Sequence, residues 1–244
     1  MKKQFRLVSL PQKSTASLIT LTILFFLSGS FISSCKALQI NSYLKSFSKY
    51  KSKKFPAIPL LDTAGNIVYL KSSSKSIMYV DMWTKNCIPC VSEFKKMPGL
   101  TQRFKGQNVE FVYICNQPAS KKEWLSDIKK YGLEHGTHYY INDSLYQIYE
   151  KDILKVAEAY PTYHLLNTEG EFLGFEIPAP SDGFLTEYII SNGLKNKTAK
   201  ESAKYVIRET SKENPDPGFT DWFYQHYGIS FADFKLKSLR NNNE

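Results

Sequence analysis

Apolar positions along this chain follow two periods, and the change from one to the other marks out its elements. Ser76 to Trp83 carries Ile77, Met78, Tyr79, Val80 and Met82 with a single charge, Asp81, and reads as a strand. Val109 to Cys115 reads as a second, central strand. Between them a helix is expected from Cys87 towards Phe104, and before them an entry strand and hairpin from Phe55. Trp124, Ile128 and Tyr131 recur at helical spacing within Lys121 to Tyr131, so that helix should cover one face of the sheet. Leu145 to Ala159 is a further helical stretch, and Phe184 to Ile190 a closing helix. Thr162 to Asn167 and Phe172 to Ile177 form an antiparallel pair about Thr168-Glu169-Gly170-Glu171. Strands joined by crossover helices and closed by a hairpin predict an α/β fold with a mixed central sheet flanked by helices. Beyond Gly193 a polar, helical stretch from Lys195 to Glu213 precedes a break at Asn214-Pro215-Asp216-Pro217-Gly218. An aromatic-rich segment from Phe219 to Phe234 follows, expected to pack on the domain, with a partner-binding face as the other reading.

The chemistry concentrates in Cys87-Ile88-Pro89-Cys90, directly after the strand. If Cys87 lies at the mouth of the helix that begins there, two intervening residues return Cys90 within disulfide reach one turn later. First-turn amides and the helix dipole then favour a thiolate at Cys87, and the fixed φ of Pro89 suits a helix start. Cys87 is the expected nucleophile, and Cys90, more buried, the resolving thiol that attacks the Cys87 sulfur. A zinc site fits less well, because structural zinc wants four ligands and no second close Cys or His pair follows. Asp81 stands six residues before Cys87. A carboxylate in a buried strand is costly unless it works or is paired, and desolvation should raise its pKa, which suits a proton acceptor for Cys90. An exposed strand position beside a lysine is the other reading of Asp81.

The run Asp81-Met82-Trp83-Thr84-Lys85-Asn86-Cys87-Ile88-Pro89-Cys90 resembles the active-site phrase of the thioredoxin superfamily, in its branch of extracytoplasmic TlpA/ResA-like thiol-disulfide oxidoreductases. Glu93 matches a glutamate that this branch often carries three residues after the second cysteine, where the resemblance implies a role in tuning pKa. Phe55 to Asp62 with Gly65 is similar to the family's entry strand and hairpin. Ala159-Tyr160-Pro161-Thr162-Tyr163 resembles its cis-proline loop. The resemblance spans Phe55 to Asn192 and implies a substrate surface formed by Trp83, Pro89, Tyr160 and Pro161, where an extended client chain pairs with the backbone of Tyr160. Asn86 stands where the family commonly has an aromatic residue, and Pro98 stands eight residues after Cys90 where the family's helix proline often comes five after. The resemblance implies an enzyme that needs no cofactor beyond its redox-active cysteine pair. Its partners would be protein disulfide or dithiol clients and a membrane thiol electron donor, with cytochrome c biogenesis as the best-known outlet. Reducing members resemble this chain in carrying proline at the Pro89 position, where oxidases and isomerases commonly have histidine. Two readings outside catalysis stay open: a copper(I) carrier, although such carriers usually have longer cysteine spacing and a histidine, and a non-catalytic binding module on the same fold.

Composition adds location. Lys2, Lys3, Arg6 and Lys13 precede an apolar run from Leu18 to Ile32 and then Ser33-Ser34-Cys35, a secretory signal in layout. Ile32-Ser33-Ser34-Cys35 resembles a bacterial lipobox, which implies lipid on Cys35 and a membrane-anchored lipoprotein facing the periplasm in a bacterial cell envelope. A signal anchor and ordinary secretion are the alternatives. The expected division is a signal peptide over 1–34, a tether over 35–54, a thioredoxin-like domain over 55–192 and an extension over 193–244. The formal net charge of +9 includes the four basic leader residues, and the remainder lacks a dense stripe for nucleic acid. Lys49, Lys51, Lys53 and Lys54 are expected to be a solvated part of the tether. Cys115, left over once Cys35 and the active pair are assigned, is expected to pack as a small apolar residue. His135, His138, His164 and His226 form no convincing metal set, a meeting of His135 and His138 on a loop being the one alternative.

Overall fold

The computed structural model describes residues 40–70, 75–118 and 120–241. The proposed signal and Cys35 lie outside them. The described residues from Leu44 on form a single compact unit, organised on seven strands: β1 (Pro59–Leu61), β2 (Ile67–Tyr69), β3 (Ile77–Thr84), β4 (Val109–Asn116), β5 (Thr137–Ile141), β6 (Thr162–Leu166) and β7 (Phe172–Gly174). Their order in the sheet is β2-β1-β5-β4-β3-β6-β7, so β4 is central as its apolar run predicts. β3 runs parallel to β4 and β4 to β5, while β1 and β6 join antiparallel. The sheet is therefore mixed, as expected.

The pleat sorts each strand between two cores. Ile77, Tyr79 and Trp83 of β3 and Phe111, Tyr113 and Cys115 of β4 face one core, shared with Cys90 and Phe94 of α1 (Ile88–Phe94), Met97 and Leu100 of α2 (Met97–Arg103), and Trp124 and Ile128 of α3 (Lys121–Lys130). Met78, Val80 and Met82 face the other, with Ile153 and Val156 of α4 (Asp143–Val156). Side-chain oxygens start α3 and α4: Ser120 Oγ accepts from Glu123 N–H at 3.2 Å, and Asn142 Oδ1 from Leu145 N–H at 2.9 Å. The entry hairpin turns at Gly65, whose φ of 95° disfavours a side chain, with Asp62 Oδ1 accepting from the amides of Gly65 and Asn66.

The structure alters three local expectations. The helix beginning after Cys87 does not run on towards Phe104. It ends at Phe94, and α2 starts at Met97 with Pro98 in its first turn. A proline at 98 has no N–H for the Phe94 carbonyl and its ring would clash there, so the break falls one turn earlier than the proline. Thr137–Ile141 is a strand, which puts His138 in the sheet rather than on a loop. The supposed break at Asn214–Gly218 stops at Asp216, whose carboxylate accepts from Gly218 N–H at 2.9 Å, and Pro217 opens a helix because its missing N–H removes no bond there.

The ends of the unit are docked. Leu44 and Phe47 are buried, and Lys51 and Lys54 bridge to Phe172 and Glu171 at the β7 edge, so this part of the expected tether lies on the domain. After α5 (Phe184–Gly193) come α6 (Ala199–Thr210), α7 (Pro217–Tyr227) and α8 (Phe231–Asn241). Phe219, Phe223 and Phe231 are buried with Val206 against Phe184, Leu185 and Tyr188 of α5, the packing that the aromatic spacing predicts. Among the described residues no helix is long and apolar enough to cross a membrane.

Candidate active site

Strand β3 delivers the chain to the site, and Asn86 turns it. Asn86 has φ of 59°, a left-handed conformation that asparagine tolerates better than an aromatic or β-branched residue. This gives a backbone reason for its place before the cysteine. Cys87 then caps α1, and its Sγ accepts from the Cys90 N–H at 3.1 Å. Pro89 lies in the first helical turn, where it removes no intrahelical bond. Cys87 and Cys90 are joined in a disulfide with Cα atoms 5.2 Å apart. Cys90 is fully buried and Cys87 half-buried, with Ile88 and Pro89 exposed between them. Only the Cys87 sulfur is open to a client.

Asp81 is buried, with no exposed surface. Strand alternation puts its side chain on the face of Tyr79 and Trp83, the face that also receives Cys90. Its two carboxyl oxygens have no hydrogen-bond partner, and neither do the hydroxyls of Tyr79 and Tyr163. Burial, and after it the negative charge of Glu93, hold the Asp81 pKa well above the usual carboxylate range. Glu93 is half-buried on α1 and accepts from the Ser181 N–H at 2.8 Å, which fixes its carboxylate across the site.

The Tyr160–Pro161 peptide bond is cis. Thr162 pairs with Met82 in the β3/β6 register, so the bend falls at the end of the sheet from which the Cys87 loop leaves. Tyr160 is half-buried, and its hydroxyl accepts from Asn116 Nδ2 at 2.7 Å. Asn116 closes β4, is 3% exposed, and its carbonyl accepts from Thr84 Oγ1 at 2.9 Å. Sequence patterning gave no sign of Asn116, which reads only as the last residue of a strand.

A cavity of about 250 Å³ lies beside the cysteine, lined among others by Trp83, Lys85, Cys87, Glu123, Asp127 and Tyr131. Trp83 is 2% exposed and meets Phe94 edge-on, so it forms the floor of the site rather than its rim. Lys85 pairs with Glu123 at 2.7 Å, and an exposed pair of this kind contributes about 1 kcal/mol or less. Cys115 is buried, and burial pushes its thiol pKa up, which makes it an inert packing group. His164 is buried with Nε2 2.7 Å from the Val156 carbonyl, and burial lowers its pKa to about 4. His138 Nε2 lies 2.7 Å from the Leu133 carbonyl, and His135 Nε2 lies 3.1 Å from the Tyr113 hydroxyl. Among the described residues no group of three or more His, Cys, Asp or Glu side chains is placed to hold a metal ion.

No protein-family model matches the chain, and no curated protein does. Solved structures do resemble it. They include a thiol:disulfide interchange protein from Bacteroides sp., 17% identical over 58% of this chain and 90% of that one, with a TM-score of 0.49. The thioredoxin domain of a thiol-disulfide oxidoreductase from Bacteroides vulgatus is 19% identical over 57% of this chain and 97% of that one, with a TM-score of 0.48. A thiol-disulfide oxidoreductase from Bacteroides fragilis is 19% identical over 55% and 98%, with a TM-score of 0.43. The chain's own strand order, its cysteine pair at the mouth of the helix after β3 and the cis bond at the same end of the sheet are the arrangement of a thioredoxin-like fold.

Proposed function

We propose that this chain is a membrane-anchored, extracytoplasmic thiol-disulfide oxidoreductase that reduces protein disulfides. The observation that carries the reading is the Cys87–Cys90 disulfide, with Cys87 reachable from solvent and Cys90 sealed on the same face of the sheet as a buried, unpaired carboxyl. In the reduced protein the Cys87 thiolate, stabilised by the Cys90 N–H, attacks one sulfur of a client disulfide. That S–S bond breaks, one client thiolate leaves, and a mixed disulfide forms. Asp81 takes the proton of the Cys90 thiol, and the Cys90 thiolate attacks the Cys87 sulfur and expels the second client thiolate. Two electrons have then passed to the client and the Cys87–Cys90 bond is closed.

Burial, and after it the negative charge of Glu93, hold the proton affinity of Asp81 high, which brings that acid closer to the pH at which it must exchange protons. The client lies in extended form against the backbone of Tyr160 before Pro161, over Pro89 and above the Trp83 floor. A membrane dithiol returns the pair to its reduced form, and no further cofactor takes part. Lipid on Cys35 places the domain on the periplasmic side of a bacterial cell envelope, and cytochrome c biogenesis is one outlet for such a reductant. The proline at position 89 favours the reducing direction. Equilibration of the purified protein against glutathione and dithiothreitol buffers tests the reading. A potential near or below about −250 mV supports a reductase, whereas one near about −120 mV makes it an oxidant. Absence of any exchangeable disulfide would remove the catalytic reading altogether.

A further inference from the structure

Asn116 sits where the two loops of the site come together. Its carbonyl accepts from Thr84 Oγ1 at 2.9 Å, at the point where β3 passes into the Lys85–Cys87 loop. Its side-chain amide donates to the hydroxyl of Tyr160 at 2.7 Å, on the residue that precedes the cis-proline. Both contacts are long-range in sequence, and Asn116 itself is 3% exposed. Strand β4 is held on both flanks, by β3 and β5. The amide is thus mounted on the least mobile part of the sheet. Tyr160, by contrast, follows α4 in an irregular stretch; its ring packs against the cores, and its hydroxyl is bonded to the Asn116 amide on the strand.

We propose that Asn116 is a positioning residue for client binding, which holds the Tyr160–Pro161 bend in register with the Cys87 loop through the Tyr160 hydroxyl. The inference deepens the oxidoreductase reading above and rests on it. A client chain that pairs with the backbone of Tyr160 needs that backbone at a fixed distance from the Cys87 sulfur, because its own cysteine must reach the sulfur while the chain stays paired. The strand supplies the fixed point, the amide transmits it, and the aromatic ring spans the gap. A small disulfide, which makes no backbone contact, draws little from this linkage. Asn116 therefore acts on clients by their length and not by the reactivity of their sulfur.

The full chain, reduced, is tested against two substrates: a peptide carrying one internal disulfide and bis-hydroxyethyl disulfide. Loss of one buried hydrogen bond at this point predicts that Tyr160→Phe raises KM for the peptide about fivefold to tenfold. The loss on bis-hydroxyethyl disulfide should be severalfold smaller, so the ratio of the two losses is the readout. Asn116→Ala should do the same, and the double variant should lose no more than either single one, because both changes break one contact. Equal losses on both substrates, no loss on the peptide, or additive losses would each overturn the proposal. Tyr160→Phe keeps the ring and its packing, so it decides the question alone should Asn116→Ala fail to fold. Failure of the wild-type protein to reduce either substrate would instead count against the oxidoreductase reading itself.

Discussion

Replacing Asp81 by Asn should slow the reaction and stabilise the protein together, a combination that a purely structural carboxyl would not give. The carboxyl has no exposed surface and no hydrogen-bond partner, and Cys90, on the same face of the sheet, is equally sealed from water. If Asp81 takes the Cys90 proton as proposed, no solvent base can then replace it. Loss of a positioned proton acceptor lowers a step by about a hundredfold to ten-thousandfold, equivalent to about 3–5 kcal/mol in the barrier. The loss should fall on the second step alone. Rapid mixing of the reduced protein with excess peptide disulfide should show wild-type formation of the Cys87 mixed disulfide, which then persists in Asp81→Asn. In the wild type, resolution should quicken as pH rises through the elevated pKa of Asp81, and this inflection should vanish in the variant. The stability effect has the opposite sign. A carboxyl whose pKa is raised on folding contributes most below its unfolded value of 3.8, and that contribution is lost as pH rises through the folded value. Urea unfolding should therefore find Asp81→Asn more stable than wild type at neutral pH, with the gap closing towards pH 3. Unchanged resolution, or a variant less stable than wild type at neutral pH, would refute the assignment.

Two further outcomes test the surroundings of the site. Glu187, buried on α5, receives Arg103 Nε at 2.8 Å from α2 and the Tyr227 hydroxyl from α7, with His226 Nε2 at 2.8 Å, so it ties the C-terminal helices to the domain. Burial alone would raise its pKa, but these hydrogen bonds and the Arg103 charge outweigh it and leave the value lowered, so its contribution is present above the ordinary value of 4.5 and lost as pH falls through the folded value. With Arg103 partly in solvent, Glu187→Gln should cost about 1–3 kcal/mol in urea unfolding at pH 7, and the difference should shrink at acid pH. At Asn86, whose φ is 59°, substitution by Val should cost about 1–2 kcal/mol in the same assay while substitution by Gly stays close to neutral. Equal effects of the two residues would show that the left-handed turn is not required.

Local spacing made much of this protein legible in its sequence. The apolar run of β3, broken only by Asp81, marked a strand and made Asp81 the residue to explain, and the structure, which buries the strand on both faces, removed the exposed reading. Two residues between Cys87 and Cys90, one of them a proline, set a helix start and a disulfide within one turn. The aromatic spacing from Phe219 to Phe234 likewise favoured a buried face over a partner-holding one, and the structure packs it. What depends on two distant segments was out of reach. The hydrogen bond from Asn116 to Tyr160 spans 44 residues and that from Ser181 to Glu93 spans 88, and no periodicity encodes either partner. β5 escaped notice because Thr137–Ile141 is short and half polar, and it becomes a strand through its pairing with β4 and β1. The helix break before Pro98 shows the same limit at close range: proline disallows the bond to the Phe94 carbonyl one turn earlier, while the packing of Phe94 and Met97 into one core accompanies the start of a second helix at Met97. Sequence thus determined the reactive pair, the faces and the periods, which are properties of neighbouring residues. Tertiary structure decided which surfaces met across the sheet, because side chains far apart in the chain become neighbours only once the strands are in register.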